Sequence, residues 1–514
     1  MINLGQHPAV YNEFRKIVIN EEPIDISEIA LNRVKHSYEF LDNFCKGKII
    51  YGINTGFGPM APYRINAKHQ KELQYNLVRS HSSGTGQILP PVYLRAILTA
   101  RLNTLLQGYS GVHDSIINQF KEYINRGIYP VVFDHGGVGA SGDLVQLAHV
   151  ALGLIGEGEV MYKDRLRDTA EVLKEEGLAP VELKLREGLG VMNGTAAMTG
   201  IGMVNLYYAR KIVQLSVLAS SMINELVQSF SDHFSAELNE AKRHKGQHEI
   251  AAQMRSTLAD SRLIRTRSEH LYDNIPENDV VSDKVQEYYS IRCVPQILGA
   301  VYDSLDYTET VLVNEINSAN DNPIIDMINQ NVYHGGNFHG DYVAFEMDKM
   351  RIAVTKVSML AERQLNYLMN HKLNNILPPF ANLGRLGLNF GMQGVQFTAV
   401  STTAENQTLS NPMYIHSIPN NNDNQDIVSM GANSAWLTKK VIDNTFEVLT
   451  IHMMSLCQAV DHLQCAEQMS TKTRALYNGI RGVFPVFTDD QPKYKAIGRL
   501  TQYLKNWEPH QASV

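Results

Sequence analysis

The sequence predicts a mainly α-helical protein with a long central helical bundle and a small mixed region at its N-terminus. Three observations predict it. Apolar residues recur at three- and four-residue spacing over several long stretches, notably 196–229, 341–372 and 427–470. Runs with strand character are only a few residues long, and they do not alternate with helices as a doubly wound sheet requires. Long helices with apolar stripes must pack on one another or on partner subunits.

Composition bounds the function classes. The 514 residues suffice for one large domain or several. The chain reads as an N-terminal mixed region, 1–195, followed by a long-helix bundle and C-terminal helical region, 196–514. Charged residues make up 19% and hydrophobic residues 44%, a globular balance. A net charge of −7 supplies no basic surface for nucleic acid. No apolar run reaches the roughly 20 residues of a membrane span. The start, Met1-Ile2-Asn3-Leu4-Gly5, lacks the charged flank and apolar core of a signal peptide. Cys45, Cys293, Cys457 and Cys465 are too scattered for a metal quartet or a disulfide frame, and a cytoplasmic protein is expected.

The elements follow in order. A helix is expected at 26–43, then a short strand at Lys48-Ile49-Ile50-Tyr51. Tyr51 stands at the mouth of a loop, Gly52-Ile53-Asn54-Thr55-Gly56-Phe57-Gly58-Pro59. Such a tyrosine serves packing or a functional loop equally well. Residues 67–83 read as a helix ending at His81-Ser82-Ser83-Gly84, where a histidine is usually a cap or a packed group. Pro91 opens a helix at 91–107. Pro130-Val131-Val132-Phe133 is a short apolar run before the glycine-rich loop His135–Asp143, and a helix follows at 143–155. Residues 159–190 read as an irregular surface excursion with small strands around Val160-Met161-Tyr162. Asn193 and Thr195 suit caps of the helix from 196. Lys242-Arg243-His244-Lys245 reads as a solvated face, and Asp273–Asp283 as a loop. Tyr289 and Arg292, three apart, share a helix face; they are either a surface pair or an anion grip, since guanidinium binds carboxylate bidentately. A helix at 296–316 breaks at Ala319-Asn320-Asp321-Asn322-Pro323. Tyr333–Gly340 is a second glycine-rich loop opening a helix. Asn420–Asp426 is either disordered surface or a hydrogen-bonded lining. The last forty residues have a weaker pattern.

Two mechanisms compete for the first glycine loop. Gly137-x-Gly139-x-x-Gly142 matches a dinucleotide-binding pattern, which alone is weak and here lacks a surrounding sheet. Ala140-Ser141-Gly142 also matches backbone cyclisation. Glycine supplies the least hindered backbone nitrogen, and attack on the Ala140 carbonyl closes a five-membered ring. Loss of water there and from Ser141 leaves an exocyclic methylidene electrophile. The triplet is common, so spacing does not choose between these. A third reading, a helical scaffold, leaves the clustered glycines, Tyr51 and Arg292 unexplained.

Several separated motifs resemble those of the aromatic amino acid ammonia-lyases, the histidine, phenylalanine and tyrosine enzymes. They are Tyr51-Gly52-Ile53-Asn54-Thr55-Gly56-Phe57-Gly58, Ser80-His81-Ser82-Ser83-Gly84, Gly139-Ala140-Ser141-Gly142-Asp143-Leu144, Asn193-Gly194-Thr195, Tyr289-Ser290-Ile291-Arg292-Cys293, Asn337-Phe338-His339, and Ser417-Ile418-Pro419 with Asn424-Gln425-Asp426. The likeness covers roughly residues 20–470 and is similar overall to bacterial tyrosine ammonia-lyases. It implies the ammonia-lyase (fumarase/aspartase-like) fold and a homotetramer whose sites draw on three chains. It also implies a 4-methylidene-imidazol-5-one formed from Ala140, Ser141 and Gly142, with no external cofactor and no metal. Tyr51 would be the catalytic base, a role that needs surroundings favouring the phenolate. Arg292 and Asn322 would bind the substrate carboxylate. Asn193 and Tyr289 would bond the electrophile or position the amine, and Phe338 would lie beside the prosthetic group. Glu405 and Gln425 would line the pocket.

For the substrate, a small amino acid, the resemblance divides. Ser80-His81 is similar to the histidine enzymes, whereas Asn424-Gln425 lacks the glutamate those enzymes carry and resembles the tyrosine and phenylalanine enzymes. His81 could partner a phenol hydroxyl, which is costly to bury unpaired. The expectation is L-tyrosine giving trans-4-coumarate and ammonia, with histidine as runner-up. An aminomutase outcome, with ammonia re-added at the β-carbon, stays open.

Overall fold

The computed structural model describes residues 1–272, 279–281 and 284–508. The loop expected at Asp273–Asp283 lies largely outside them. The fold is mainly α-helical, with a long central helix bundle and only short strands. Among the described residues no helix is long and apolar enough to cross a membrane. The chain forms two compact units: Met1–Tyr207 with Thr308–Asp348 and Pro412–Lys439, and Tyr208–Tyr307 with Lys349–Asn411 and Lys440–Val514.

Four helices carry the bundle: Ala196–Leu226, Val294–Ile316, Asp341–Met369 and Gly431–Leu463. Each contributes a segment to both units. In the first unit, the Asn205 amide donates to the Ala435 carbonyl at 2.8 Å, and Thr438 Oγ1 donates to the Met347 carbonyl at 2.8 Å. In the second, Gln364 Nε2 donates to Ser220 Oγ at 3.0 Å, and the Ser358 and Thr403 hydroxyls pair at 3.1 Å. These seams are apolar helix faces studded with small polar residues whose hydroxyls are satisfied locally, so burying them costs little.

The helix Pro91–Leu105 begins at its proline as expected, yet every residue from Tyr93 to Leu105 is buried. It is a helix enclosed on all sides, not a surface helix with one apolar stripe. Arg95, buried on it, donates to the carbonyls of Ile17 and Ile124.

Several expectations need correction. Lys48–Tyr51 is not a strand. Ile50 and Ile53 both pack into a cluster with Leu41, Ile325 and Val332, which an alternating strand would not allow. The Asn54 side chain takes the place of a neighbouring strand, accepting from Ile50 N at 2.8 Å and donating to the Lys48 carbonyl at 2.7 Å. The run Pro130–Phe133 is not one strand either. Tyr129–Pro130 pairs with Glu159–Tyr162, whereas Phe133–His135 pairs with Thr85–Ile88. Pro130 has no N–H to carry a ladder onward. Residues 159–190 hold the expected small strands as a hairpin, Glu159–Tyr162 with Arg165–Asp168, and also two helices, Thr169–Glu176 and Glu187–Met192. The latter is buried throughout, whereas 163–168 and 174–180 are largely exposed, so the surface excursion ends before that helix. The C-terminal stretch holds two amphipathic helices, Thr471–Val483 and Tyr494–Asn506.

The cap of the helix Ala196–Leu226 also lies elsewhere than expected. Asn193 and Thr195 use their side chains on Ser141 and Glu315. The donor at Met198 N is met instead by the Asp143 carboxylate, at 2.8 Å, which lies immediately before the helix Leu144–Leu154. Asp143 is fully buried.

Two outcomes are expected. Asn54→Ala leaves the Ile50 N–H and the Lys48 carbonyl without their partner and should lower unfolding stability by about 1–3 kcal/mol, read by urea denaturation. Burial pushes the Asp143 carboxyl up to about 7, with Glu315 adding and the helix N–H groups opposing. Between the ordinary carboxylate range and about 7, native protein holds a proton that the unfolded chain has released, so this group makes stability fall as pH rises. Asp143→Asn keeps an acceptor and removes that titration. The melting temperature of the variant relative to the parent should therefore climb across that window; a flat difference contradicts the buried protonated acid.

Candidate active site

Within the first unit, a cavity of about 520 Å³ is lined by Tyr51, Ser80, His81, Ser141, Asn193, Asn322, Phe338, Asn424 and Gln425. Eight of the nine come from six of the sequence motifs and the ninth, Asn322, from the break at Ala319–Pro323; they lie up to 374 positions apart. The fold brings together what the motifs listed separately.

Ser141 sits at the wall with a half-buried side chain, between buried Ala140 and buried Gly142. Two amide donors converge on it. Asn193 Nδ2 donates to the Ser141 carbonyl oxygen at 3.0 Å, and Gln425 Nε2 donates to Ser141 Oγ at 3.0 Å. The loop is braced from behind. Ser429 Oγ and Gly340 N both donate to the Gly139 carbonyl, at 3.0 and 3.1 Å, and Met430 N donates to the Val138 carbonyl at 2.9 Å. The second glycine-rich loop and the segment after Asn420–Asp426 thus serve the first. Gly142 has φ +70°, and a Cβ there would collide with the Gly194 carbonyl oxygen, so this position requires glycine on two counts. The doubly wound sheet required by the dinucleotide reading is absent among the described residues, whose sheets have two or three strands.

Tyr51 faces the cavity from its turn. Gly58 N donates to its hydroxyl oxygen at 3.1 Å, and its ring meets Phe57 edge-on at 6.1 Å. Ser80 and His81 end the helix Gln70–His81. His81 Nδ1 lies 3.0 Å from the Leu77 carbonyl, which can only accept. Ser80 Oγ lies 3.0 Å from the same nitrogen, and the tautomer that donates from Nδ1 to the carbonyl presents Nε2 as an acceptor. Asn322 Oδ1 accepts from Gly335 N at 2.8 Å, tying the two loops that carry Asn322 and Phe338.

Further lining residues that the sequence reading does not point to include Met60, Ala61, Leu73, Asn76, Leu189 and Asn421. Leu73, Asn76, Leu77, Ser80 and His81 recur at helical spacing, so Asn76 was findable one turn before Ser80. Asn421 belongs to the polar cluster Asn420–Asp426, which is a lining, not a disordered surface; the backbone at Asn421, Asn422 and Asp423 is left-handed.

Tyr289, Arg292 and Glu405 belong to the second unit. Tyr289–Arg292 is a one-turn helix, and the guanidinium stacks 4.8 Å from the Tyr289 ring centre, so the two do share a face. Glu405, on the helix Gln393–Leu409, is exposed and paired with Lys440 at 2.9 Å and Asn444 at 2.7 Å. Lys440, then Asn444, hold its carboxyl below the ordinary range.

Among the described residues no group of three or more His, Cys, Asp or Glu side chains is placed to hold a metal ion.

Comparison with known proteins places this geometry. The aromatic amino acid lyase family matches residues 10–482. The chain is 38% identical over 507 residues to the tyrosine 2,3-aminomutase of Chondromyces crocatus, covering 97% of this chain and 95% of that one. It is 38% identical to the histidine ammonia-lyase of Geobacillus sp. (strain WCH70), covering 98% and 96%. It is 40% identical to the tyrosine ammonia-lyase of Cupriavidus metallidurans, covering 86% and 84%. The crystal structure of tyrosine aminomutase from Streptomyces globisporus superposes with a TM-score of 0.94 at 34% identity, covering 99% of this chain and 98% of that chain. These likenesses do not single out the bacterial tyrosine ammonia-lyases that the sequence reading favoured. With a family match across most of its length and lyases and aminomutases as relatives, the chain belongs to the aromatic amino acid lyase family.

Proposed function

We propose that this protein eliminates ammonia from L-tyrosine to give trans-4-coumarate. The observation that carries the reading is the convergence on one cavity of the Tyr51 hydroxyl with Ser141 and its two amide donors, Asn193 and Gln425. The residues fit a ring made from Ala140-Ser141-Gly142. Gly142 is the one residue type its surroundings admit, and both oxygens of Ser141 are already addressed by donors. The resulting methylidene-imidazolone would supply an electrophile that takes the substrate amine and makes it a better leaving group.

The chain's own groups do the rest. Tyr51 removes the β-proton as the phenolate, and the Gly58 N–H donates most strongly to that charged oxygen before the proton arrives. Asn193 draws electron density toward the carbonyl oxygen it bonds. Arg292 grips the substrate carboxylate bidentately, with Asn322 in the same carboxylate set, and Tyr289 positions the amine. His81 Nε2 accepts the phenol hydroxyl. A cytoplasmic homotetramer with sites completed across subunits is the assembly this reading expects.

A second reading has a specific observation behind it. Tyrosine aminomutases stand among the similar proteins in both sequence and structure, and their likeness weighs toward re-addition of ammonia at the β-carbon. The elimination step is common to both readings.

Intact-protein mass should fall short of the sequence by two waters, and Ser141→Ala should abolish that deficit together with turnover. A wild-type chain of full mass would sink the mechanism. Side-by-side assay of tyrosine, histidine and phenylalanine should give the highest kcat/KM for tyrosine; a higher value for histidine overturns the substrate, and β-tyrosine among the products establishes the aminomutase outcome. His81→Phe should lower kcat/KM for tyrosine by about ten- to a hundredfold while phenylalanine gains relative to it, because the hydroxyl loses its partner.

A further inference from the structure

Beneath the prosthetic triplet lies a buried arginine with no role in the reading above. Arg101 stands on the enclosed helix Pro91–Leu105 and is 1% exposed. Its Nη2 donates to the Gly190 carbonyl, and its Nη1 donates to Asn320 Oδ1 at 3.2 Å. Asp321 offers it only a 3.9 Å approach, because that carboxylate is already engaged by Arg186 at 3.0 and 3.1 Å. Burial pulls the Arg101 guanidinium down to about 10, which leaves it cationic at neutral pH. A fully buried cation without a carboxylate of its own is an expensive feature, and such departures collect at functional places.

What Arg101 touches gives the reason. A Cβ at Gly194 would collide with Arg101 Nη1 and would lie 2.7 Å from both oxygens of Asn320. A Cβ at Gly142 would collide with the Gly194 carbonyl oxygen. That same oxygen accepts from Asp143 N at 2.7 Å. Arg101, Gly194 and Gly142 are therefore stacked without slack, and the stack ends on the residue whose nitrogen must attack.

We propose that Arg101, held by Asn320 and Gly190, is a positioning residue for ring formation: it presses Gly194 against Gly142 and keeps the Ala140–Gly142 bend closed. The inference rests on the ring-forming reading above. In the step it assists, the Gly142 nitrogen bonds to the Ala140 carbonyl carbon. The Ala140 oxygen leaves as water with the amide hydrogens of Gly142 and Ser141, and a carbon–nitrogen double bond remains. Ser141 then loses its Oγ and its Cα hydrogen as a second water. No oxidant or reductant is needed. Lysine cannot replace arginine in this place, because a point charge cannot reach Gly190 and Asn320 together with a planar fork's geometry.

The test follows the mass of freshly synthesised full-length chains over time, with circular dichroism and melting temperature measured in parallel. Variants are Arg101→Lys, Asn320→Ala, and Arg95→Lys as a control, a buried arginine of the same helix that does not abut Gly194. Arg101→Lys should lose its two waters about tenfold more slowly than wild type, and Asn320→Ala by an intermediate factor. Turnover per ring-bearing chain should stay within about twofold of wild type for both, since Arg101 lies behind the site and not in it. Arg95→Lys should mature at the wild-type rate despite a comparable loss of melting temperature. Should Arg101→Lys fail to fold, Asn320→Ala decides alone. Wild-type maturation rates in Arg101→Lys and Asn320→Ala overturn the inference, as does equal slowing in Arg95→Lys. A wild-type chain of full mass overturns the ring-forming reading itself, whereas normal wild-type mass with unaffected variants overturns only the role of Arg101.

Discussion

The ion pair between Arg186 and Asp321 is the constraint on which the site depends. Both side chains are shut off from solvent, and both guanidinium nitrogens reach the carboxylate. Such a pair is worth little as net stability, because two desolvated charges offset their mutual attraction. Its worth is geometric. Arg186 also donates to the carbonyls of Ser110 and Asn322, and Asp321 accepts from Asn322 N at 2.7 Å. Three segments remote in sequence are thereby locked in one register, and Asn322 is delivered to the cavity wall. Breaking any one contact leaves a buried charge incompletely paired, so the arrangement resists partial rearrangement.

Around that pair the cavity is built mostly from loops, with the helix Gln70–His81 supplying one wall. The Tyr51 turn, the Ala140–Gly142 loop, the Asn322 turn, the Phe338 loop and the Asn421–Gln425 turn all approach from different parts of the first unit. Catalytic groups sit on loops because a helix interior offers no free backbone donors. Here the backbone acts directly: Gly58 N reaches Tyr51, Gly335 N reaches Asn322, and Gly340 N braces Gly139. At Gly58 and Gly340 a Cβ would collide with the Asn421 and Met198 side chains, so glycine is what admits those two approaches.

The long helices pack through small hydroxyl-bearing residues. Thr445, Thr450 and Ser455 are buried on the helix Gly431–Leu463, and each returns its hydroxyl to the carbonyl one turn earlier at 2.7–2.9 Å. The hydroxyl needs no partner on a neighbouring helix, so backbones approach closely without orphaned polar groups. The exposed aromatic and aliphatic residues on Asp341–Met369 and Gln393–Leu409, among them Tyr342, Phe345 and Phe397, present the apolar faces that the assembly reading expects to be covered.

By itself the sequence determined the helical class, the presence of the long helices, and nine of the residues that line the cavity. Periodicity over thirty residues is a local signal, and the motifs around Tyr51, Ser141, Asn193 and Gln425 are contiguous, so both were legible without contacts. Only the tertiary structure decided what distance in space controls. Lys48–Tyr51 lost its strand because a side chain six residues from Lys48 took over the pairing. Asp143 capped a helix other than the one it precedes. Asn76 and Asn421 became lining residues because the faces they occupy happen to meet the cavity. Arg101, an ordinary cation in the sequence, became a buried neighbour of Gly194. In each instance a polar group, once removed from water, must find a partner wherever the fold places one, and that partner is set by three-dimensional proximity that no local pattern encodes.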